Sequence, residues 1–284
     1  MIEKIRTKGV TVEKLVIIGH GPAGLTAAIY AARAGLEPLV LSSNSELGQL
    51  DQTTDVENFP GFPEGVMGPE IIIGMHKQAE RFGARFRGAH VRSVSGNSPF
   101  SLELDDGHLK AQCVILATGA KPRRLGLESE SKYWGKGVSA CAVCDGFFYR
   151  NQEVLVVGGG DSACEEAGFL TKFASKVYMV HRRDELRASK IMAQRALDNP
   201  KIELIWNSQL AEVLGSDAEG VIGAKLQNLE SGEITELSVS GVFLAIGHIP
   251  NTAPFSGLVE MDEEGYIITE PGTSHTSRDG IFAA

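Results

Sequence analysis

The sequence predicts an α/β chain of two similar units, the second inserted into the first, because three patterns each occur twice along it. The first pattern is strand, glycine-rich turn, helix. The apolar run Leu15 to Ile18 leads into Gly19-His20-Gly21-Pro22-Ala23-Gly24, and an Ala-rich stretch from Leu25 to Ala34 follows. Glu153 to Val157 likewise leads into Gly158-Gly159-Gly160-Asp161-Ser162-Ala163, with helical sequence through Glu165, Glu166 and Phe169 to about Phe173. The second pattern is an ending: Val114-Ile115-Leu116-Ala117-Thr118-Gly119 precedes Pro122, and Val242-Phe243-Leu244-Ala245-Ile246-Gly247 precedes Pro250. The third is a hairpin signal, Asp106-Gly107 after Phe100 to Leu104 and Ser231-Gly232 after Ala224 to Leu229.

A glycine-rich turn between strand and helix lets the backbone meet a pyrophosphate while the helix start offers free N–H groups. Each unit therefore reads as a Rossmann-like dinucleotide-binding domain. The tail from about Asn251 to Ala284 is too short for a third domain, so it is expected to return to the first unit, with Gly280 to Ala284 as its last apolar strand. The expected domains are 1–122 with 251–284, and 123–250.

Composition excludes several classes. With 43% hydrophobic and 22% charged residues the chain is neither disordered nor fibrous. Gly supplies 33 of 284 residues, well above the usual share of roughly 7%, which points to tight turns and close backbone approaches. The net charge of −9 opposes a polyphosphate partner, so no nucleic acid is expected. No apolar run approaches the roughly 18 residues of a membrane span. The N-terminal segment is charged through Lys14 and Leu15 to Ile18 is too short for a signal core, so a cytoplasmic location is expected.

The end of each unit's second strand indicates its nucleotide, because that position reads the adenine ribose. In the second unit Val177 to Val180 runs into His181-Arg182-Arg183-Asp184-Glu185-Leu186-Arg187, and guanidinium groups there suit a 2′-phosphate, hence NADP(H). In the first unit the position is Ser42, followed by Ser43, with neither acid nor base. A flavin is the expected occupant, since paired dinucleotide sites commonly pass a hydride between them.

Cys141-Ala142-Val143-Cys144, followed by Asp145-Gly146, is the one Cys-x-x-Cys of the chain. Thiols at this spacing close a small disulfide ring and exchange it with another. Zinc would require further ligands, and Cys113 and Cys164 stand alone in a strand and a helix, where they read as buried small apolar residues. Asp145 puts a carboxyl beside the second thiol, suited to proton transfer. Trp134 and Trp206 read as packing residues, and Glu165 and Glu166 as a helix-dipole pair without chemistry.

Taken in order, Gly19 to Gly24, Gly48-Gln49-Leu50, Val56-Glu57-Asn58-Phe59-Pro60-Gly61, Ala117-Thr118-Gly119, Cys141 to Gly146, Gly158 to Ala163, His181-Arg182-Arg183 with Arg187, and Ala245-Ile246-Gly247 resemble the low-molecular-weight thioredoxin reductases. The resemblance implies non-covalent FAD held by Gly19, Gly21, Pro22, Ala23, Gly24, the segment from Ser42 and Ser43 to Gln49, Asn58, Thr118 and Gly119. It implies NADPH at Gly158, Gly160, Asp161, Ser162, Ala163, His181, Arg182, Arg183, Arg187, Ile246 and Gly247. It further implies a homodimer in which electrons pass from NADPH through FAD to Cys141 and Cys144, with Cys144 toward the flavin and Asp145 moving a proton. The acceptor would be the disulfide of thioredoxin or a similar dithiol protein. Alternatives are a related NADPH and FAD dithiol reductase serving another carrier, or a nucleotide-binding protein without redox activity.

The sequence also departs from the family pattern. Leu47-Gly48-Gln49 stands for the usual Gly-Gly-Gln, Asp51-Gln52 replaces the start of a Thr run, and the chain ends before the Gly-Asp that follows in relatives. From that last departure weaker FAD retention is expected.

Overall fold

The computed structural model describes residues 6–7, 10–43, 48–53 and 55–284. It divides into two compact units, Met1–Lys121 with Ile249–Ala284, and Pro122–His248.

The first unit runs β1 (Val10–Ile18), α1 (Pro22–Arg33), β2 (Leu39–Ser42), α2 (Gly68–Arg81), β3 (Arg85–Gly88), β4 (Val91–Ser95), β5 (Phe100–Leu104) and β6 (Gly107–Leu116). A parallel sheet in the order β3-β2-β1-β6 is extended beyond β6 by the closing strand Ile281–Ala283. The other half of β6 carries the antiparallel strands β5 and β4, with Phe100 opposite Ala111. β1 is apolar without alternation from Leu15 to Ile18 because both of its faces are covered. Leu15 and Ile17 pack with Ala28, Ile29 and Ala32 of α1 and Ala79 of α2. Val16 and Ile18 meet Phe100, Leu102 and Leu104 on the other side. α1 starts with Pro22 in its first turn and ends in a Schellman arrangement. There Gly35, at φ +75°, donates to Ala32 and Leu36 donates to Ala31.

The second unit runs β7 (Val138–Ser139), α3 (Ala142–Asp145), β8 (Glu153–Val157), α4 (Asp161–Leu170), β9 (Lys176–Val180), α5 (Lys190–Leu197), β10 (Ile202–Ile205), β11 (Ser208–Ser216), β12 (Gly220–Asn228), β13 (Ile234–Leu237) and β14 (Gly241–Leu244). β7-β14-β8-β9-β10 form an all-parallel sheet, and β11-β12-β13 an antiparallel one. Val154, Val156, Val177 and Met179 face α4 through Ala163, Ala167 and Leu170. Leu155, Val157 and Leu244 pack against Val213, Ala224 and Leu226 of the antiparallel layer. Each unit is thus helices, parallel sheet and antiparallel sheet in three layers.

Several elements differ from the expectation. β1 begins at Val10 instead of Leu15, because its charged half still ladders with β6, Glu13 opposite Ala111. α4 ends at Leu170, where Thr171 turns the chain and its hydroxyl donates to the Gly168 carbonyl. Cys164 is buried as expected, but Cys113 is only half-buried. Ala120–Pro122 and His248–Pro250 pair as a two-stranded ladder. No helix among the described residues is long and apolar enough to cross a membrane.

α1 sits tightly against its turn: a Cβ at Gly24 would fall 2.0 Å from the Gly19 carbonyl oxygen. Gly24→Ala should therefore force α1 outward and cost about 1–3 kcal/mol. Thermal melting followed by circular dichroism should show a lowered Tm, and a melt matching the parent would mean the contact yields freely.

Candidate functional site

Glycine geometry shapes the turn in both units. At Gly19, φ is +110° and a Cβ would lie 2.1 Å from the Ala117 carbonyl oxygen. At Gly158, φ is +154° and a Cβ would lie 2.4 Å from the Ala245 carbonyl oxygen. Each turn is pressed against the Ala that ends the neighbouring strand. By contrast nothing lies within 4 Å of a Cβ at Gly21 or Gly160, the residues preceding α1 and α4, and no side chain caps either helix. Open space before uncapped helical N–H groups fits a pyrophosphate in each unit.

In the first unit Gly19, Ser42, Gln49, Thr118 and Gly119 gather at the carboxyl ends of parallel strands. Gly19 N–H donates to the Leu41 carbonyl, next to Ser42 at the end of β2, and Asn251 clamps the Thr118 and Gly119 carbonyls through its side-chain and backbone N–H at 2.9 Å each. Gln49 donates through Nε2 to the Ala120 carbonyl at 2.7 Å. Asn58 is exposed, with no side-chain partner among the described residues. Residues 44–47 of the Ser42 to Gln49 segment lie outside the described residues, and so does the Leu47 departure. Asp51, which replaces a Thr of the family pattern, accepts from Gly48 N–H at 3.0 Å and stands 3.8 Å from His20 Nε2, inside the first glycine turn.

In the second unit Arg182, Arg183 and Arg187 are exposed, and among the described residues no carboxylate pairs with them. They surround the buried His181, whose imidazole is pushed below its ordinary pKa by burial and then by Arg187, Arg183 and Arg182. The His181 ring fills the space a Cβ at Gly159 would need, 2.3 Å from Nδ1. Arg187 N–H donates to the Gly159 carbonyl, fixing the basic loop to the glycine turn. Asp161, expected at the cofactor, has its carboxylate engaged by Ser189: backbone N–H and hydroxyl both donate to Oδ1 at 2.8 Å. Ser162 is exposed and Ala163 buried in the following turn. The loop after β14 holds Ile246 and Gly247, and the Gly247 carbonyl accepts from Arg123 N–H.

Cys141 and Cys144 form a disulfide with Cα atoms 5.3 Å apart, Cys141 half-buried and Cys144 exposed. Cys144 N–H points at Cys141 Sγ, 3.2 Å away, so a helical turn already supports charge on that sulfur. The pair follows β7, so it stands at the same carboxyl edge of the parallel sheet as Gly158 after β8, His181 after β9 and Ile246 after β14. Strand order reverses about β8 there, the usual location of a ligand crevice.

Asp145 is pushed above the ordinary carboxyl range by burial, partly offset by the Ser139 hydroxyl, which also accepts from Cys141 N–H at 3.0 Å. Ser139 was missed in the sequence; a small hydroxyl residue two positions before the first Cys is the only signal it leaves. Tyr149 is pushed up to about 12 by burial and then by the Asp145 charge. Glu166, read as a dipole residue, has a buried Oε2 without a hydrogen-bond partner and is pushed up to about 7, chiefly by burial. Trp134 packs against the core as expected and carries the Arg124 guanidinium 3.6 Å above its ring. Among the described residues no group of three or more His, Cys, Asp or Glu could hold a metal.

The family model for pyridine nucleotide-disulphide oxidoreductases matches residues 13–284. The chain belongs to that family. Similar members include the mitochondrial thioredoxin reductase 1 of Arabidopsis thaliana, 51% identical over 95% of this chain and 76% of the relative. Thioredoxin reductase of Rickettsia conorii is 50% identical over 95% of this chain and 88% of the relative. Among solved structures, thioredoxin reductase from Giardia duodenalis has a TM-score of 0.91 at 43% identity, covering 96% of this chain and 89% of the other. This pyridine nucleotide-disulphide oxidoreductase thus shares its fold with thioredoxin reductases, and the resemblance first carried by its motifs holds along the matched length.

Ser139→Ala should remove the hydroxyl that favours the Asp145 carboxylate and drive its pKa higher still. Infrared titration of the carboxyl band should show the upward shift. An unmoved Asp145 would mean that Ser139 does not act on it.

Proposed function

We propose that this chain is an NADPH-dependent, FAD-containing disulfide reductase acting on thioredoxin or a close dithiol analogue, and that it works as a cytoplasmic homodimer. FAD and NADPH are the cofactors of the group to which it is similar. The observation that carries the reading is the Cys141–Cys144 disulfide standing on the same sheet edge as the glycine turn and the arginines. The first unit's turn at Gly21 fits FAD, and the second unit's turn at Gly160 fits NADPH.

Bound FAD supplies a carrier that takes a hydride from NADPH and returns an electron pair to a disulfide. The chain's own residues do the rest. Arg182, Arg183 and Arg187 would hold the 2′-phosphate of NADPH, and the N–H groups at the start of α4 would take its pyrophosphate. Two electrons break the Cys141–Cys144 bond; one sulfur leaves as thiolate and the other takes the proton that burial helps Asp145 to hold. A thiolate then attacks the acceptor disulfide, and the second Cys resolves the mixed disulfide, releasing reduced acceptor. Val143, Phe147 and Phe148 are exposed around the pair and give a protein acceptor an apolar footing.

Replacing Arg182 and Arg183 by Ala should lower kcat/KM with NADPH by about one to two decades per residue while sparing NADH, since charge-assisted contacts contribute about 1.5–3 kcal/mol each. Equal efficiency with both nicotinamides in the parent would refute the phosphate assignment. Cys141→Ser with Cys144→Ser should abolish NADPH-dependent reduction of thioredoxin yet leave bleaching of flavin absorbance by NADPH intact. Undiminished thioredoxin reduction in that variant would remove the pair from the pathway.

A further inference from the structure

Glu166 has no part in the scheme above, yet its surroundings tie it to the redox pair. α3 packs directly on α4. Ala142 is buried among Ala163, Ala167 and Leu170, and a Cβ at Gly146 would lie 3.1 Å from Leu170. Beneath α4 the strands β8 and β9 turn the apolar side chains of Val154, Val156, Val177 and Met179 toward it. Into this junction Glu166 projects its carboxyl, with the Ala142 backbone N–H facing it and Oε2 buried without a partner. Ala142 is the residue next to Cys141 in the chain.

The charges around it are few. Asp145 lies on α3 and Tyr149 just after it, Lys190 and Arg195 lie on α5, and Asp161 and Glu165 share α4. Of these only Glu165 acts on Glu166, and it opposes the charged form as burial does. Among the described residues no cation compensates the carboxylate, so its ionisation is free to respond to a new charge nearby.

We propose that Glu166 is a positioning residue for the dithiol, a buried acid behind Ala142 that takes up a proton when a cysteine thiolate forms and releases it when that thiolate is consumed. The inference rests on the reading of Cys141 and Cys144 as the electron relay. When two electrons split the disulfide, one sulfur becomes a thiol with the proton from Asp145 and the other remains a thiolate. That new anion, one residue from the Ala142 N–H that faces Glu166, and an ionised Glu166 repel each other, so Glu166 binds a proton from water. Attack of the thiolate on the acceptor disulfide moves the negative charge onto the departing sulfur, and Glu166 returns its proton. The titrations of thiol and carboxyl are therefore coupled, each dragging the other.

The test uses the FAD-bound protein, chemically reduced, without NADPH or acceptor, so that it does not depend on turnover. Alkylation by iodoacetamide is followed at Cys141 and Cys144 across pH, its rate reporting thiolate. The parent should titrate in a broadened, two-step curve. Glu166→Gln keeps an oxygen for the Ala142 N–H but removes the charge. It should shift the thiolate midpoint down by about one pH unit relative to the parent, with alkylation about threefold to tenfold faster near neutral pH. A Glu166→Gln profile superimposable on the parent's would overturn the proposal. Should that variant not fold, Glu166→Ala, which also removes the charge, is read in its place: the same downward shift supports the coupling, and a profile matching the parent's overturns it. Loss of the relay reading would appear separately, as turnover surviving without the cysteines.

Discussion

Both glycine turns depend on one backbone contact, the first glycine of each turn lying against the carbonyl of the Ala that ends a neighbouring strand. Gly19 meets Ala117 and Gly158 meets Ala245, at separations that leave no room for a Cβ. The contact brings two strand ends together, opens the space before the helix, and sets φ where an L side chain is strained. The recurrent Ala-x-Gly endings in the sequence are the other half of this contact. Without it, neither Gly21 nor Gly160 would face open space at the start of a helix.

The two units place their fifth strand differently, and the chemistry follows from that difference. In the first unit the position beside β6 is filled by Ile281–Ala283, from the end of the chain. In the second the equivalent position beside β14 is filled by Val138–Ser139, from before the glycine turn. That short strand delivers Cys141 and Cys144 to the carboxyl edge of a sheet whose other loops carry the glycine turn and the three arginines. The same architecture thus gives one unit an edge with a glycine turn alone and the other an edge with a glycine turn and a disulfide.

Local electrostatics run against the net charge. The chain carries −9 overall, yet three exposed arginines gather around His181 without carboxylate partners among the described residues. Buried His181 answers by staying neutral, which removes a fourth like charge from the cluster. Around the cysteines the sign is opposite. Asp145 and Glu166 are both raised by burial, so each holds its proton to a higher pH than an exposed carboxyl would. Cleaving a disulfide consumes a proton, and such carboxyls are suited to supply one.

The sequence by itself determined the two units, the strand Glu153–Val157, the glycine turns, the hairpins and the returning last strand, because each rests on periodicity or on residues with special backbone freedom. The Cys141–Cys144 pair was legible as a local spacing and is joined as a disulfide, and the arginines after Val180 lie exposed at a strand end. Tertiary structure decided the rest. Val138–Ser139 is two residues long and has no periodicity to read; only its partner Val242–Phe243 makes it a strand. β1 extends back through charged residues because a neighbouring strand supplies its hydrogen bonds. Asp161 accepts from the Ser189 backbone N–H and hydroxyl, and Ser139 meets Asp145, only after the chain has folded. Glu166 shows the limit most clearly. Its place near a helix start suggested a dipole partner, whereas burial of its carboxyl beside Ala142 pushes it up to about 7, and burial is a property of the packed chain that no local spacing encodes.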